Sequence, residues 1–153
     1  MITNNSDTGA NQPKVLVDTC IWSLSLRRRQ DTSDNPIVTT LATLIQQQRA
    51  VILGAIRQEV LSGVRSSQQF EWLRTQLRKF EDFPMVAEDY ERAAEFFSIC
   101  RAKGVQGSPT DFLLCAVAQR HQFAIFTTDK DFEYFRRHLE FPLYTPPVAY
   151  DLG

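Results

Sequence analysis

Val15-Leu16-Val17-Asp18-Thr19 is a solid apolar run stopped by a carboxylate and a hydroxyl. A short run of this kind, with no polar alternation, reads as a strand buried on both faces and ending at Asp18. Its counterpart is Phe123-Ala124-Ile125-Phe126-Thr127-Thr128, which is followed by Asp129. Helical periodicity fills the interval between them. The spacing predicts helices over residues 19–26, from Pro36 through Ile45, and over 55–64, 69–83, 87–102, 109–121 and 131–138. Further short strands are expected at 50–53, 85–86 and 141–145. Strands alternating with helices call for a parallel sheet covered on both faces, hence an α/β fold.

In such a sheet the residues just past the strand ends gather on one edge, where ligands bind. Four acids fall at those points or turn inward: Asp18, Glu59, Asp111 and Asp129. Carboxylates brought together repel one another and suit a hard cation, Mg²⁺ or Mn²⁺, which together with an acidic edge points to phosphodiester chemistry. Local structure offers competing explanations for three of them. Asp18 and Asp129 can each N-cap the helix that follows, and Ser108-Pro109-Thr110-Asp111 has the form of a capping box. Glu59 has no capping role. It falls mid-helix on the apolar side, where a carboxylate needs a cation, with Arg57 or Arg65 as the ordinary partners.

The bulk composition narrows the classes. At 153 residues the chain fits one domain, with an expected N-terminal tail at 1–13, a folded body at 14–146 and a C-terminal tail at 147–153. A 43% hydrophobic and 23% charged composition is that of a globular protein, and no apolar run reaches the ~20 residues of a membrane helix. A net charge of −1 gives no global attraction to nucleic acid, so such binding must come from a local patch. Lysine is confined to Lys14, Lys79, Lys103 and Lys130. The remaining cations are arginine, which forks onto phosphates. Arg27-Arg28-Arg29 is the densest local candidate for RNA phosphate contacts, and the same run can equally stabilise a helix C-terminus. Cys20, Cys100 and Cys115 lack CxxC spacing and sit among apolar residues, as small hydrophobes do in a reduced cytoplasmic setting. Trp22 and Trp72 are expected in the core or at an interface.

The four stretches Val15-Leu16-Val17-Asp18-Thr19, Glu59-Val60-Leu61-Ser62-Gly63, Thr110-Asp111-Phe112-Leu113-Leu114-Cys115-Ala116 and Phe126-Thr127-Thr128-Asp129-Lys130-Asp131-Phe132, in this order, resemble the PIN-domain nucleases. Within them the chain looks most like the VapC-type toxin ribonucleases of bacterial toxin-antitoxin pairs. The resemblance implies a three-layer α/β/α fold with a central parallel sheet of four to five short strands. It implies a metal-dependent endoribonuclease in which Asp18, Glu59, Asp111 and Asp129 form the acidic metal site. Thr19 and Thr127 match the accompanying hydroxyl positions, and Asp131 competes with Asp129 for the fourth acidic role. It further implies RNA as substrate, a homodimer and a small antitoxin protein as partner. Cys20, directly after the Asp-Thr pair, departs from the pattern and is expected to leave the site chemistry untouched.

Two other classes fit parts of the sequence. A phosphatase built on a strand-end Asp wants a second Asp two residues on, where Cys20 stands. A catalytically silent PIN fold serving as an interaction module would not need all four acids.

Overall fold

The run Val15–Val17 is strand β1, with all three side chains buried. It lies at the centre of a parallel sheet between β2 (Ala50–Val51) and β3 (Ala124–Phe126). Leu16 pairs with Val51 on one side and Ile125 on the other. A central parallel strand has no water-facing side, which is why the sequence shows an unbroken apolar run there. The structure, a computed structural model, describes residues 12–26 and 35–147. Residues 1–11 and 148–153 of the expected tails, and the Arg27-Arg28-Arg29 run, lie outside the described residues.

The α/β architecture is as expected, with a three-stranded sheet in place of four to five strands. Each outer strand is reduced to a single parallel bridge, Ile52 with Asp82 and Ile125 with Leu143. Phe83 N–H donates to the Ile52 carbonyl at 2.9 Å and Tyr144 N–H to Ile125 at 2.8 Å. Pro84 and Pro142 adjoin these two bridges and have no N–H, so neither ladder extends. Val86, expected in a strand, is instead the N-cap of a helix.

The helices are α1 (Thr19–Ser25), α2 (Pro36–Gln46), α3 (Gly54–Ser62), α4 (Ser67–Leu77), α5 (Ala87–Ala102), α6 (Pro109–His121) and α7 (Asp131–Phe135). α1 packs on α2 and α3, α3 on α4, and α5 on α6. Pro36 is the first residue of α2, behind an Asn35 cap that accepts from Ile37 N–H at 2.9 Å. α4 stops at Leu77, short of the expected residue 83, because Arg57 takes its terminal carbonyls. The Arg57 guanidinium donates to Leu77 O at 2.8 Å, Phe80 O at 2.6 Å and the Asp82 carboxylate at 2.8 Å. A side chain that satisfies the orphan carbonyls of a helix end lets the chain turn there. α7 likewise ends at Phe135 and not at residue 138; Leu139 N–H returns to Phe135 O at 2.9 Å.

α6 is the innermost helix, with Phe112, Leu114, Cys115, Ala116, Val117 and Ala118 all buried. It is tied to α5 by an ion pair. Asp89, 1% exposed, receives Arg120 Nε at 2.7 Å and Nη2 at 2.8 Å, and its Oδ2 also accepts from Val86 N–H at 3.0 Å. A bidentate pair of this geometry fixes one helix against the other. Trp22 is a core residue, fully buried, with its Nε1–H on the Val17 carbonyl at 3.2 Å and its ring edge-on to Phe80 at 4.9 Å. Trp72 is half-buried against the same core.

The loop entering α6 is equally tight. A Cβ on Gly107 would stand 2.6 Å from Phe135 Cζ and 2.9 Å from the Phe112 ring. Both rings are fully buried and 4.9 Å apart, so neither has room to yield. Gly107→Ala should therefore destabilise the fold by about 1–3 kcal/mol, the range for an overpacked core, read as a lowered urea midpoint with unchanged slope.

Candidate functional site

The sheet delivers Asp18 to the strand-end edge. The ladder continues one residue beyond β1, with Asp18 N–H donating to Phe126 O at 3.0 Å. The side chain is only 6% exposed. Its Oδ1 accepts from Thr19 N–H at 2.7 Å, so the residue does cap α1, while Oδ2 accepts from Thr127 Oγ1 at 2.8 Å. Thr127 lies at the same height because β3 runs parallel to β1. Its hydroxyl also accepts from Asp129 N–H at 3.0 Å, and Asp129 Oδ1 accepts from Asp131 N–H at 2.9 Å.

Glu59 reaches this edge from α3. Thr19 Oγ1 donates to Glu59 Oε2 at 2.6 Å, which joins α1 to α3 at the site. Arg57 is engaged at the end of α4, and among the described residues Glu59 has no ion-pair partner. The inward glutamate thus rests on a hydroxyl. Asp111 arrives on the first turn of α6 through the expected capping box. Its Oδ2 accepts from Ser108 N–H at 2.9 Å, and its own N–H donates to Ser108 Oγ at 3.1 Å.

Buried Asp18 and half-buried Asp111 both hold their protons more tightly than usual. Burial is the main cause of the raised pKa of Asp18, opposed by the bonds from Thr127 and Thr19 and reinforced by the charges of Glu59 and Asp129. Asp111 is raised to about 6, again by burial first, with the Ser108 bonds opposing and the charges of Asp18 and Asp129 adding. The charges of Glu59 and Asp129 act on Asp18 and those of Asp18 and Asp129 on Asp111, so the four acids share one field and Asp129 acts on both aspartates. Asp131 is exposed and follows Asp129 at the start of α7.

Cys20, expected to leave the site chemistry untouched, lies in contact with the site residues. Its Sγ lies 3.8 Å from Asp18 Oδ2, 3.6 Å from Thr127 Oγ1 and 3.3 Å from Thr128 Oγ1, and it accepts from Thr128 N–H at 3.5 Å. Residues two apart do not share a helix face, so no periodicity signals this contact; it comes from α1 starting at the strand end, which sets Cys20 against Thr127 and Thr128 beyond β3. Cys100 and Cys115 are buried, as small hydrophobes are.

The donors are oxygens of hard character, which suit Mg²⁺ or Mn²⁺. Among the described residues, Glu59 Oε1, Asp111 Oδ1 and Asp129 Oδ2 carry no hydrogen bond, leaving lone pairs available to a cation. Among those residues no three His, Cys, Asp or Glu side chains stand close enough to form a ready-made ligand set. The carboxylates share an edge and a field without closing on one point.

Comparison with known proteins gives one family match: the model of the PIN domain fits residues 15–137. No curated protein matches the sequence. Among solved structures, a chain of FitAcB from Neisseria gonorrhoeae is similar at 18% identity and a TM-score of 0.67, covering 86% of this chain and 97% of that one. A chain of VapBC2 from Rickettsia felis, bound to a DNA fragment from its promoter, is similar at 17% identity and a TM-score of 0.62, covering 85% and 96%. A chain of a toxin-antitoxin complex from Klebsiella pneumoniae is similar at 20% identity and a TM-score of 0.59, covering 88% and 98%. At these identities the likeness is one of fold.

The raised Asp111 pKa sets a pH dependence. Between the usual 3.8 and about 6 the folded chain keeps a proton that the unfolded chain has released. The Asp111 contribution to stability is therefore present in full below pH 3.8 and lost as pH rises through about 6. Asp18 acts in the same direction. In metal-free buffer the stability of the native chain should fall relative to Asp111→Asn across that window. Paired thermal melts that track each other at every pH would contradict it.

Proposed function

The chain belongs to the PIN-domain family, and from that premise we propose that it is a metal-dependent endoribonuclease, the toxin of a toxin-antitoxin pair. The observation that carries the reading is a carboxylate buried at the strand ends with three more acids at the same edge and, among the described residues, no ion pair to any of them. Burying that much negative charge is unfavourable unless something positive joins it. Asp18, Glu59, Asp111 and Asp129 would hold Mg²⁺ or Mn²⁺, directly or through water. Bound there, the ion would lower the pKa of a water and relieve charge on the phosphate oxygens.

The protein's own groups prepare that position. Thr127 and the Thr19 amide fix both oxygens of Asp18, so its orientation needs no reorganisation when a cation arrives. Thr19 anchors Glu59 by one oxygen and leaves the other for a ligand. Ser108 does the same for Asp111, and the Asp131 amide for Asp129. This supports Asp129 over Asp131 as the fourth acid. RNA as substrate follows from the resemblance to toxin ribonucleases. The similar Klebsiella structure is a toxin-antitoxin complex, which supports a small antitoxin protein as partner. A homodimer belongs to the same reading. No helix among the described residues is long and apolar enough to cross a membrane.

Purified protein incubated with total cellular RNA should give discrete fragments with Mg²⁺ or Mn²⁺ and none with EDTA. Asp18→Asn and Asp111→Asn should each lower cleavage about a hundredfold or more, while circular dichroism shows the fold retained. Full activity in both folded variants would refute the acidic centre. A folded, metal-loaded wild type that cuts nothing would leave a silent interaction module.

A further inference from the structure

A cleft of about 410 Å³ lies beside the acidic edge, lined by Gly104, Val105, Gln106, Asp131 and Tyr134. One wall is the loop that enters α6, and the other is α7. The cleft is joined to the acids through both walls. On the loop side, the segment runs through Gly107, seated against Phe135, to Ser108, which holds Asp111. On the α7 side, Asp131 N–H is bonded to Asp129.

The residues of the cleft form a set that core packing does not account for. Tyr134 is 48% exposed, a large aromatic surface left to solvent on a short helix. The Arg137 guanidinium covers its ring, 4.9 Å from the centroid, and steadies it. Cations adjoin the cleft residues in the chain: Lys103 immediately precedes Gly104, Lys130 is the N-cap of α7 beside Asp131, and Arg137 follows the end of α7 with its guanidinium over the Tyr134 ring. All three are exposed, and none takes part in an ion pair among the described residues. An aromatic face with flanking cations is the arrangement that holds unpaired nucleotides, the ring stacking on a base and the cations meeting phosphates.

We propose that this cleft binds an unpaired RNA base next to the scissile phosphate, with Tyr134 as its stacking face and Asp131 and Gln106 as its readers. The ligand class rests on the ribonuclease reading above. An ionised carboxylate only accepts hydrogen bonds, so Asp131 favours a base that presents donors. Guanine offers two side by side, N1–H and N2–H₂, and Gln106 adds an amide that both donates and accepts. The base selected is therefore guanine. The acids perform the chemistry, and the cleft sets where along the strand it happens.

The test measures binding separately from cleavage. In an Asp18→Asn full-length background, fluorescence anisotropy would follow a labelled decauridine and the same decamer carrying one central guanosine. The guanosine decamer should bind more tightly, Tyr134→Ala should weaken it about tenfold, and Tyr134→Phe should retain it. Thermal melts would show both exposed-site variants folded. Binding indifferent to Tyr134→Ala, or no binding of either RNA, would overturn the cleft; equal affinity for the two decamers would overturn the guanine assignment. Cleavage by the native chain, assayed in parallel, separates the readings. Tyr134-dependent binding without cleavage keeps the cleft and removes the nuclease. Cleavage with Tyr134-independent binding does the reverse.

Discussion

The structure depends on one extension of the parallel ladder, the hydrogen bond from Asp18 N–H to Phe126 O at 3.0 Å. It carries the register of β1 and β3 one residue past the strands, so Asp18 and Thr127 emerge together at the sheet edge. From there the Thr127 hydroxyl can reach Asp18 Oδ2 while α1 begins on Asp18 Oδ1. A carboxylate 6% exposed is costly, and these donors offset only part of that cost, since its pKa remains raised. The unsatisfied remainder is an attraction for positive charge built into the fold by the sheet register itself.

Capping and site membership are compatible for these residues because a carboxylate has two oxygens. Asp18 caps α1 and faces the edge, Asp111 closes the box with Ser108 and keeps Oδ1, and Asp129 accepts from Asp131 N–H and keeps Oδ2. The cap is what aims the free oxygen, because the bond to backbone removes most of the rotamer freedom that would otherwise be lost on binding a ligand. Glu59, without a cap, needs Thr19 for the same purpose. Loss of the Thr19 hydroxyl would free the Glu59 carboxylate to turn toward solvent.

Where structure is set by neighbours in sequence, it was legible. The apolar runs of β1 and β3, Pro36 at the head of α2 and the Ser108–Asp111 box all follow from residues within one turn of each other. The end of α4 was not, because Arg57 acts on it from another helix, across 20 residues of chain to Leu77. The strands expected at 85–86 and 141–145 failed beside Pro84 and Pro142, whose missing N–H groups were in plain view in the sequence but were outweighed by the apolar neighbours. The four acids could be named because strand ends and helix starts are local features. The Thr19–Glu59 bond, the Asp89–Arg120 pair and the cleft beside Tyr134 join residues far apart in the chain, so no spacing rule announces them.

The charge distribution resolves an apparent conflict between a net charge of −1 and the polyanionic substrate we propose. Negative charge is concentrated and partly buried at the strand ends, while Lys103, Lys130 and Arg137 stand exposed next in the chain to the cleft residues or, for Arg137, over the Tyr134 ring. Exposed cations are screened beyond about 10 Å in 0.1 M salt, so their effect on a strand of RNA would be confined to their own neighbourhood. A bound cation at the acids would turn the remaining repulsion into attraction for the phosphate beside it. Phosphates on either side of a seated base would then meet lysine and arginine, and the one next to the acids would meet the ion. Gly107 joins the two regions, since the residue seated against the buried Phe135 of α7 leads directly into the Ser108 cap of Asp111. Shifting that loop would move the cleft and the Asp111 carboxylate together.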